Sequence, residues 1–348
     1  MKSILEKALS RRNFIVGAGG VAAATVVGGI AGCGGGSPVV LPITKPTPPP
    51  SNSFTDADIL NYALNLEYLE AQFYLYAATG HGLAPADTSA PTGYTGDFKE
   101  GTVTVGNAAA VSGATSDQKD IINEIAYEEQ EHVRFLRKAL GSSAVPMPDI
   151  DLSFFGPLAT AAGIAGSFNP FSSFDYFLVG AFVFEDVGVT AYAGAAPLIS
   201  AAGVTAGYLT AASGILAVEA YHAGYVRTAI TAGAIAAGSA SAFPYITAAN
   251  QVADLRAMLT VGNSGAPGTA TGNTGAPQSS TSVETPLALP TALTDLSSIV
   301  AADPQHALGF ARTINQVHHI VYGSATVGVS KGGFFPSGTN SIFATTTA

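Results

Sequence analysis

The residues best suited to chemistry in this 348-residue chain are a Glu and a His three positions apart, present twice: Glu129 with His132 and Glu219 with His222. Residues three apart share a face of an α-helix, so each pair can offer a carboxylate and an imidazole to one metal ion. One such pair is a weak signal, because Glu-x-x-His arises by chance on many solvated helices. Here the surroundings repeat as well. With Glu129 set on Glu219, His132 falls on His222, Ile125 on Ile215, Arg137 on Arg227 and Ala139 on Ala229. Upstream of each pair stands another Glu followed seven residues later by a Tyr, Glu67 with Tyr74 and Glu185 with Tyr192. Seven residues make about two helical turns, so each Tyr lies on the face of its Glu.

The order Glu…Tyr, Glu-x-x-His, Glu…Tyr, Glu-x-x-His supplies one Glu from each of two helices and a Glu-x-x-His from each of two others. That is the donor set of a dinuclear metal site inside a four-helix bundle. The expected ligands are therefore Glu67, Glu129, His132, Glu185, Glu219 and His222. Glu129 and Glu219 are expected to bridge two ions, and each His to cap one. Tyr74 and Tyr192 are placed to donate hydrogen bonds to ligand carboxylates. The expected cofactor is two divalent ions, iron or manganese, since oxygen and nitrogen donors suit both. Four carboxylates nearly cancel two such ions, which is what lets so many acids share an apolar core.

Several neighbours compete for these roles. Glu70 rivals Glu67, but its counterpart in the second half is Gly188, so the repeat favours Glu67. Asp186 rivals Glu185, and the Tyr spacing selects Glu185. A lone His222 would read as a hydrogen-bonded core histidine; beside Glu219 and in register with the first pair, ligation is favoured. Glu128, Glu131, Arg134 and Lys138 read as outward, solvated charges. His81 reads as a loop residue, and His306, His318 and His319 as structural or surface residues.

The elements that must hold these residues are legible from caps and periodicity. The first helix is expected over 55–79, with Thr55 and Asp58 as a capping box, and the second over 115–140, with Thr115 and Gln118. The third spans 173–195 and is apolar on every face from Phe177 to Phe184, hence buried. The fourth spans 204–236, and 243–260 adds a short fifth. Residues 80–114 read as an irregular insertion or a short hairpin. Residues 141–171, with four prolines, read as a long crossover between the second and third helices. The bundle is thus expected over 54–260. A Gly/Ser/Thr/Pro-rich linker follows over 261–289, then a C-terminal extension over 290–348 with a helix within 293–322 and aromatics, Phe334 and Phe335, that dock on the bundle.

Only 11% of residues are charged, and the formal net charge is −10. The first 32 residues carry four basic residues and one acid, so the rest is more acidic still. Such a surface repels nucleic acid and anionic lipid. The one cysteine, Cys33, excludes an internal disulfide and Cys-based zinc or haem motifs. Residues 1–32 read as an export signal: Ser10-Arg11-Arg12-Asn13-Phe14 resembles a twin-arginine signature, and an apolar run leads to Ile30-Ala31-Gly32-Cys33, which resembles a lipobox. Cys33 is then the expected lipidation site, 33–53 a flexible tether, and the location the periplasm or cell envelope. Membrane contact is expected through the N-terminal lipid alone.

Leu66-Glu67-Tyr68-Leu69-Glu70-Ala71-Gln72-Phe73-Tyr74, the two Glu-x-x-His pairs, Arg312-Thr313, Ile320-Val321-Tyr322 and Lys331-Gly332-Gly333-Phe334-Phe335-Pro336 together resemble the ferritin-like family that includes the desiccation-related proteins. The resemblance covers about residues 55–345 apart from the linker. It implies an all-α, ferritin-like four-helix bundle with a dinuclear iron or manganese site and chemistry such as ferrous oxidation, peroxide reduction or peroxide dismutation. The expected function is an exported metal-binding protein of oxidative or desiccation stress, an oxidase, peroxidase or catalase-like oxidoreductase acting on O2, peroxide or the metal ion. The alternative is a non-catalytic envelope stress protein that keeps the bundle and uses its surface. The insertion and the linker leave the oligomeric state open.

Overall fold

The computed structural model describes residues 54–164, 166–260, 284–288, 299–302 and 307–346. The expected export signal, the expected tether with Cys33, residues 261–283 and 289 of the expected linker, and His306 lie outside them.

The elements run α1 (Asp56–Thr79), α2 (Pro85–Thr88), β1 (Val103–Thr104), α3 (Ser116–Leu140), β2 (Ile150–Asp151), α4 (Phe155–Ala162), α5 (Phe174–Ala195), α6 (Ala201–Thr205), α7 (Tyr208–Ala236), α8 (Pro244–Thr260) and α9 (Ile314–Val321). The bundle is α1 packed on α3 and α5 packed on α7, with α8 laid against α5 and α4. The fold is all-α.

Both anticipated capping boxes form. The Thr55 hydroxyl accepts from Asp58 N–H while the Asp58 carboxylate accepts from Thr55 N–H, and Thr115 and Gln118 do the same for α3. Each box satisfies two N–H groups that a bare helix start would leave without partners. α5 is long and apolar enough to cross a membrane by length and composition, but 83% of its most apolar window is buried in the protein. It is the central helix of the core, which is why it is apolar all round. The fourth bundle helix begins at Tyr208 rather than 204. Gly207 takes a left-handed φ of 89°, so the chain breaks there between the short α6 and α7.

The insertion 80–114 holds no hairpin. Its strand β1 pairs with β2 in parallel, Val103 opposite Ile150, which ties the insertion to the crossover. The crossover also carries α4, whose Phe155 is buried against Phe73, Phe184 and Phe334.

The expected linker reaches the folded body at its end. Glu284 and Leu287 are buried, and Glu284 pairs with two buried arginines: Arg256 Nη2 lies 2.7 Å from its Oε2, and Arg312 Nη2 contacts its Oε1. Composition hid this, because a single acid in a Gly/Ser/Thr context reads as solvated until its partners, distant in sequence, are known. Asp186 joins the same cluster, 2.8 Å from Arg227 and 2.9 Å from Arg256. The tail docks through Phe334, which meets Phe154, Phe155 and Phe184 edge-on, and Phe335, which is fully buried. Burying one Phe of this kind contributes about 1.5–3 kcal/mol. Gly333 makes the turn possible: its φ is 55°, and a Cβ there would stand 2.4 Å from the Val321 carbonyl.

Candidate metal centre

The bundle brings all six expected residues together. Glu67 comes from α1, Glu129 and His132 from α3, Glu185 from α5, and Glu219 and His222 from α7. Each is buried, none exposed by more than 8%. The donor atoms form two groups. Those of Glu67, Glu129, His132 and Glu219 lie within 4.8 Å of one another, as do those of Glu129, Glu185 and His222. A cation with bonds of about 2.1 Å holds its donors about 3 to 4 Å apart. His132 Nδ1 is 3.2 Å from Glu67 Oε2, 3.4 Å from Glu129 Oε2 and 3.7 Å from Glu219 Oε1. His222 Nδ1 is 3.0 Å from Glu129 Oε1 and 3.6 Å from Glu185 Oε2.

These distances suit ion pairs, yet the atoms are not aligned for hydrogen bonds. Glu67 Oε2, Glu185 Oε2, both oxygens of Glu129 and of Glu219, and Nδ1 of His132 and of His222 are buried without a hydrogen-bond partner. Buried polar atoms are rarely left so, and each unsatisfied one is costly. A cation at each group would satisfy all of them but Glu219 Oε2. The donors are hard oxygens and imidazole, with no thiolate, which fits iron or manganese without choosing between them.

Glu129 belongs to both groups and is positioned to bridge. Glu219, the other expected bridge, stands only with the His132 group. Its second oxygen turns toward Gly188: a Cβ on that glycine would come 2.1 Å from Glu219 Oε2 and 3.3 Å from Glu70 Oε1. Gly188 and Glu70, equivalent in the repeat, thus meet beside Glu219, and the two halves of the centre are not mirror copies.

The tyrosines exchange partners between halves. The Tyr74 hydroxyl donates to Glu185 Oε1, and the Tyr192 hydroxyl donates to Glu67 Oε1, both in short contacts. Each tyrosine of α1 or α5 therefore orients the carboxylate on the other helix, leaving one oxygen of each Glu facing the donor groups. Periodicity showed which face each Tyr occupies but not which helix it reaches.

Burial, followed by the charge of Glu70, pushes the Glu219 carboxyl well above the usual range. Glu70 is pushed up likewise, by burial and then by Glu129 and Glu67. Burial would also raise Glu129, but contact with His132 and His222 outweighs it and holds the group down at about 2. The His132 imidazole is depressed by burial, but Glu67 and Glu129 override that and raise it to about 12; His222 is raised in the same way by Glu185 and Glu129.

One residue read as an outward charge also reaches the centre. Glu128 Oε2 lies 2.7 Å from His222 Nε2. Helical phase places Glu128 off the bundle-facing side of its own helix; only the approach of α7 brings an imidazole to it. Glu131 is a surface charge paired with Arg134, which also binds Asp87. Asp186 turns away from the centre to its arginines. His81 is exposed. His318 and His319 are fully buried on α9, outside both donor groups. Stacking on Tyr322 and burial hold His318 in place, and burial, then His319, lowers its pKa to about 3.

A bundle with paired Glu-x-x-His helices and a carboxylate from each of the other two is the architecture of the ferritin-like proteins. The family model for the ferritin-like domain matches residues 55–232, and the chain belongs to that family. Among curated proteins, it is 30% identical over 145 residues to ferritin-like catalase Nec2 of Nesocodon mauritianus, covering 41% of this chain and 44% of that protein. It is 29% identical over 146 residues to desiccation-related protein PCC13-62 of Craterostigma plantagineum, again covering 41% and 44%. The matches therefore span less than half the length of these curated relatives. No solved structure matches.

Proposed function

We propose that this chain is an exported dinuclear metal protein that performs redox chemistry on dioxygen, peroxide or the metal itself, in protection against oxidative or desiccation stress. The carrying observation is the pair of buried donor groups meeting at Glu129, whose inward carboxylate oxygens and imidazole Nδ1 atoms have no hydrogen-bond partners within the protein. Glu67, Glu129, His132 and Glu219 would hold one ion, and Glu129, Glu185 and His222 the other. Bound iron or manganese would supply the change of oxidation state that the chain's own side chains cannot. The protein's part is to hold the donors. Tyr74 and Tyr192 fix Glu185 and Glu67, Glu129 joins the two positions, and the apolar wall of α5 excludes water from the carboxylates. Small reactants, O2 or peroxide, are the expected partners. The relative called a ferritin-like catalase favours peroxide dismutation, which needs no other reductant.

Export rests on Arg11-Arg12 and on the lipobox-like sequence ending at Cys33. A second reading, a non-catalytic envelope stress protein, draws on the relative named for desiccation. Elemental analysis of protein made in metal-replete medium, with a hydrogen peroxide assay, tests the two. About two ions per chain with peroxide turnover is expected. No bound metal would defeat the first reading, and two ions without turnover on peroxide or O2 would favour the second.

A further inference from the structure

We propose that Glu128 is a positioning residue for only one of the two metal positions, so that the two bound ions are inequivalent. The inference rests on the metal reading above and goes beyond it. His222 presents Nδ1 to Glu129 and Glu185 at 3.0 and 3.6 Å, while its Nε2 meets Glu128 Oε2 at 2.7 Å. An acceptor on one ring nitrogen keeps the proton there and leaves the other nitrogen's lone pair for an ion.

Glu128 acts from outside the core. Its side chain is 36% exposed, against 6% for His222. It lines a cavity of about 310 Å³ between α3 and α7, shared with Glu124, Tyr221, Tyr225 and His222. Water in that cavity can hydrate the carboxylate, so holding it there costs little desolvation. The repeat shows what is special about it. The position equivalent to Glu128 in the second half is Val218, which offers no acceptor, so His132 gains no matching partner from that position. The donor groups differ in the same sense. His222 stands with two carboxylates and His132 with three. The position with fewer donors depends more on how firmly its imidazole is held.

Titrating metal-free full-length protein with Mn(II), by calorimetry and by electron paramagnetic resonance, tests this. The wild-type chain should take up two ions in two resolvable steps. Glu128→Ala should weaken one step about 10–100-fold and leave the other unchanged. Glu128→Gln, which keeps an acceptor oxygen, should recover most of that loss. Glu124→Ala removes a carboxylate from the same cavity without touching His222, and both steps should survive it. If Glu128→Ala alters neither step, or both alike, or if Glu124→Ala reproduces its effect, the proposal is overturned while the metal reading stands. A wild-type chain that binds no Mn(II) overturns both.

Discussion

Gly188 lies directly against Glu219: a methyl group on the glycine would stand 2.1 Å from the Glu219 Oε2. That contact is with a buried carboxylate, and a second buried acid, Glu70, stands 3.3 Å from the same methyl position. Gly188→Ala should therefore push Glu219 out of the donor group while strengthening the helix, since Ala is favoured over Gly by about 1 kcal/mol in a helix interior. Metal content should fall with helicity retained by circular dichroism. A Gly188→Ala protein with its full complement of metal would show that Glu219 is not needed where the structure places it.

Glu219→Ala and Glu185→Ala should each strip bound metal, by elemental analysis, and abolish any peroxide or O2 activity. The fold should survive, because removing a crowded buried carboxylate offsets the lost ion. Glu70→Ala should leave most metal bound, as Glu70 stands in neither donor group. If Glu70→Ala empties the protein and Glu67→Ala does not, the two first-helix carboxylates have been assigned the wrong way round.

Helix phase carried the sequence reading a long way, and its reach explains where that reading stopped. A capping Thr, an apolar period and a closing Gly are local facts, so α1 and α3 could be bounded to a residue or so. The choice of Glu67 over Glu70 was also local, through the glycine at the equivalent position. What depends on a neighbouring helix was not legible. Tyr74 reaching Glu185, Tyr192 reaching Glu67, and Glu128 meeting His222 all follow from interhelix packing. So does the turn of Glu219 toward Gly188, which leaves Glu129 alone in both donor groups. Glu284 was hidden in the same way, as its arginines are supplied by α8 and by the segment before α9.

Glu284→Ala should be among the more destabilising substitutions far from the metal centre. It leaves Arg256 and Arg312, both buried, short of a carboxylate partner, and breaking a buried pair from one side costs roughly 3–5 kcal/mol. Thermal unfolding of the variant should begin well below that of the wild type. A melting temperature within a degree or two of wild type would mean that residues 284–288 do not belong to the folded body.

Export predicts a covalent mark. Protein extracted from the membrane fraction of an expressing bacterium should carry acyl groups on an N-terminal Cys33, seen by mass spectrometry. More than one chain is needed, since a single acyl chain binds only marginally. An unmodified protein beginning at Met1 would remove the lipoprotein assignment.

Protons and metal compete for the same atoms, which makes the pH dependence distinctive. In metal-free protein the folded carboxyls of Glu67, Glu185 and Glu219 sit above their ordinary 4.5, burial being the first cause in each case. His132 sits at about 12 against an ordinary 6.5, with Glu67 and Glu129 outweighing the opposing effect of burial. All are raised on folding, so their contribution to stability is complete below the unfolded value and is lost as pH rises toward the folded one. Glu129, held at about 2 by the two imidazoles, works in the opposite sense, but its loss lies below about pH 4.5. Metal-free protein should thus melt at progressively lower temperature from about pH 5 to about pH 9. Binding an ion requires those protons to leave, so affinity rises over the same range. The loaded protein's stability gains RT ln(1 + [L]/Kd), and the gap between loaded and metal-free melting temperatures should widen with pH. Scanning calorimetry of both forms across that range checks it. A gap that narrows with pH would mean that the protons and the metal are not held by the same residues.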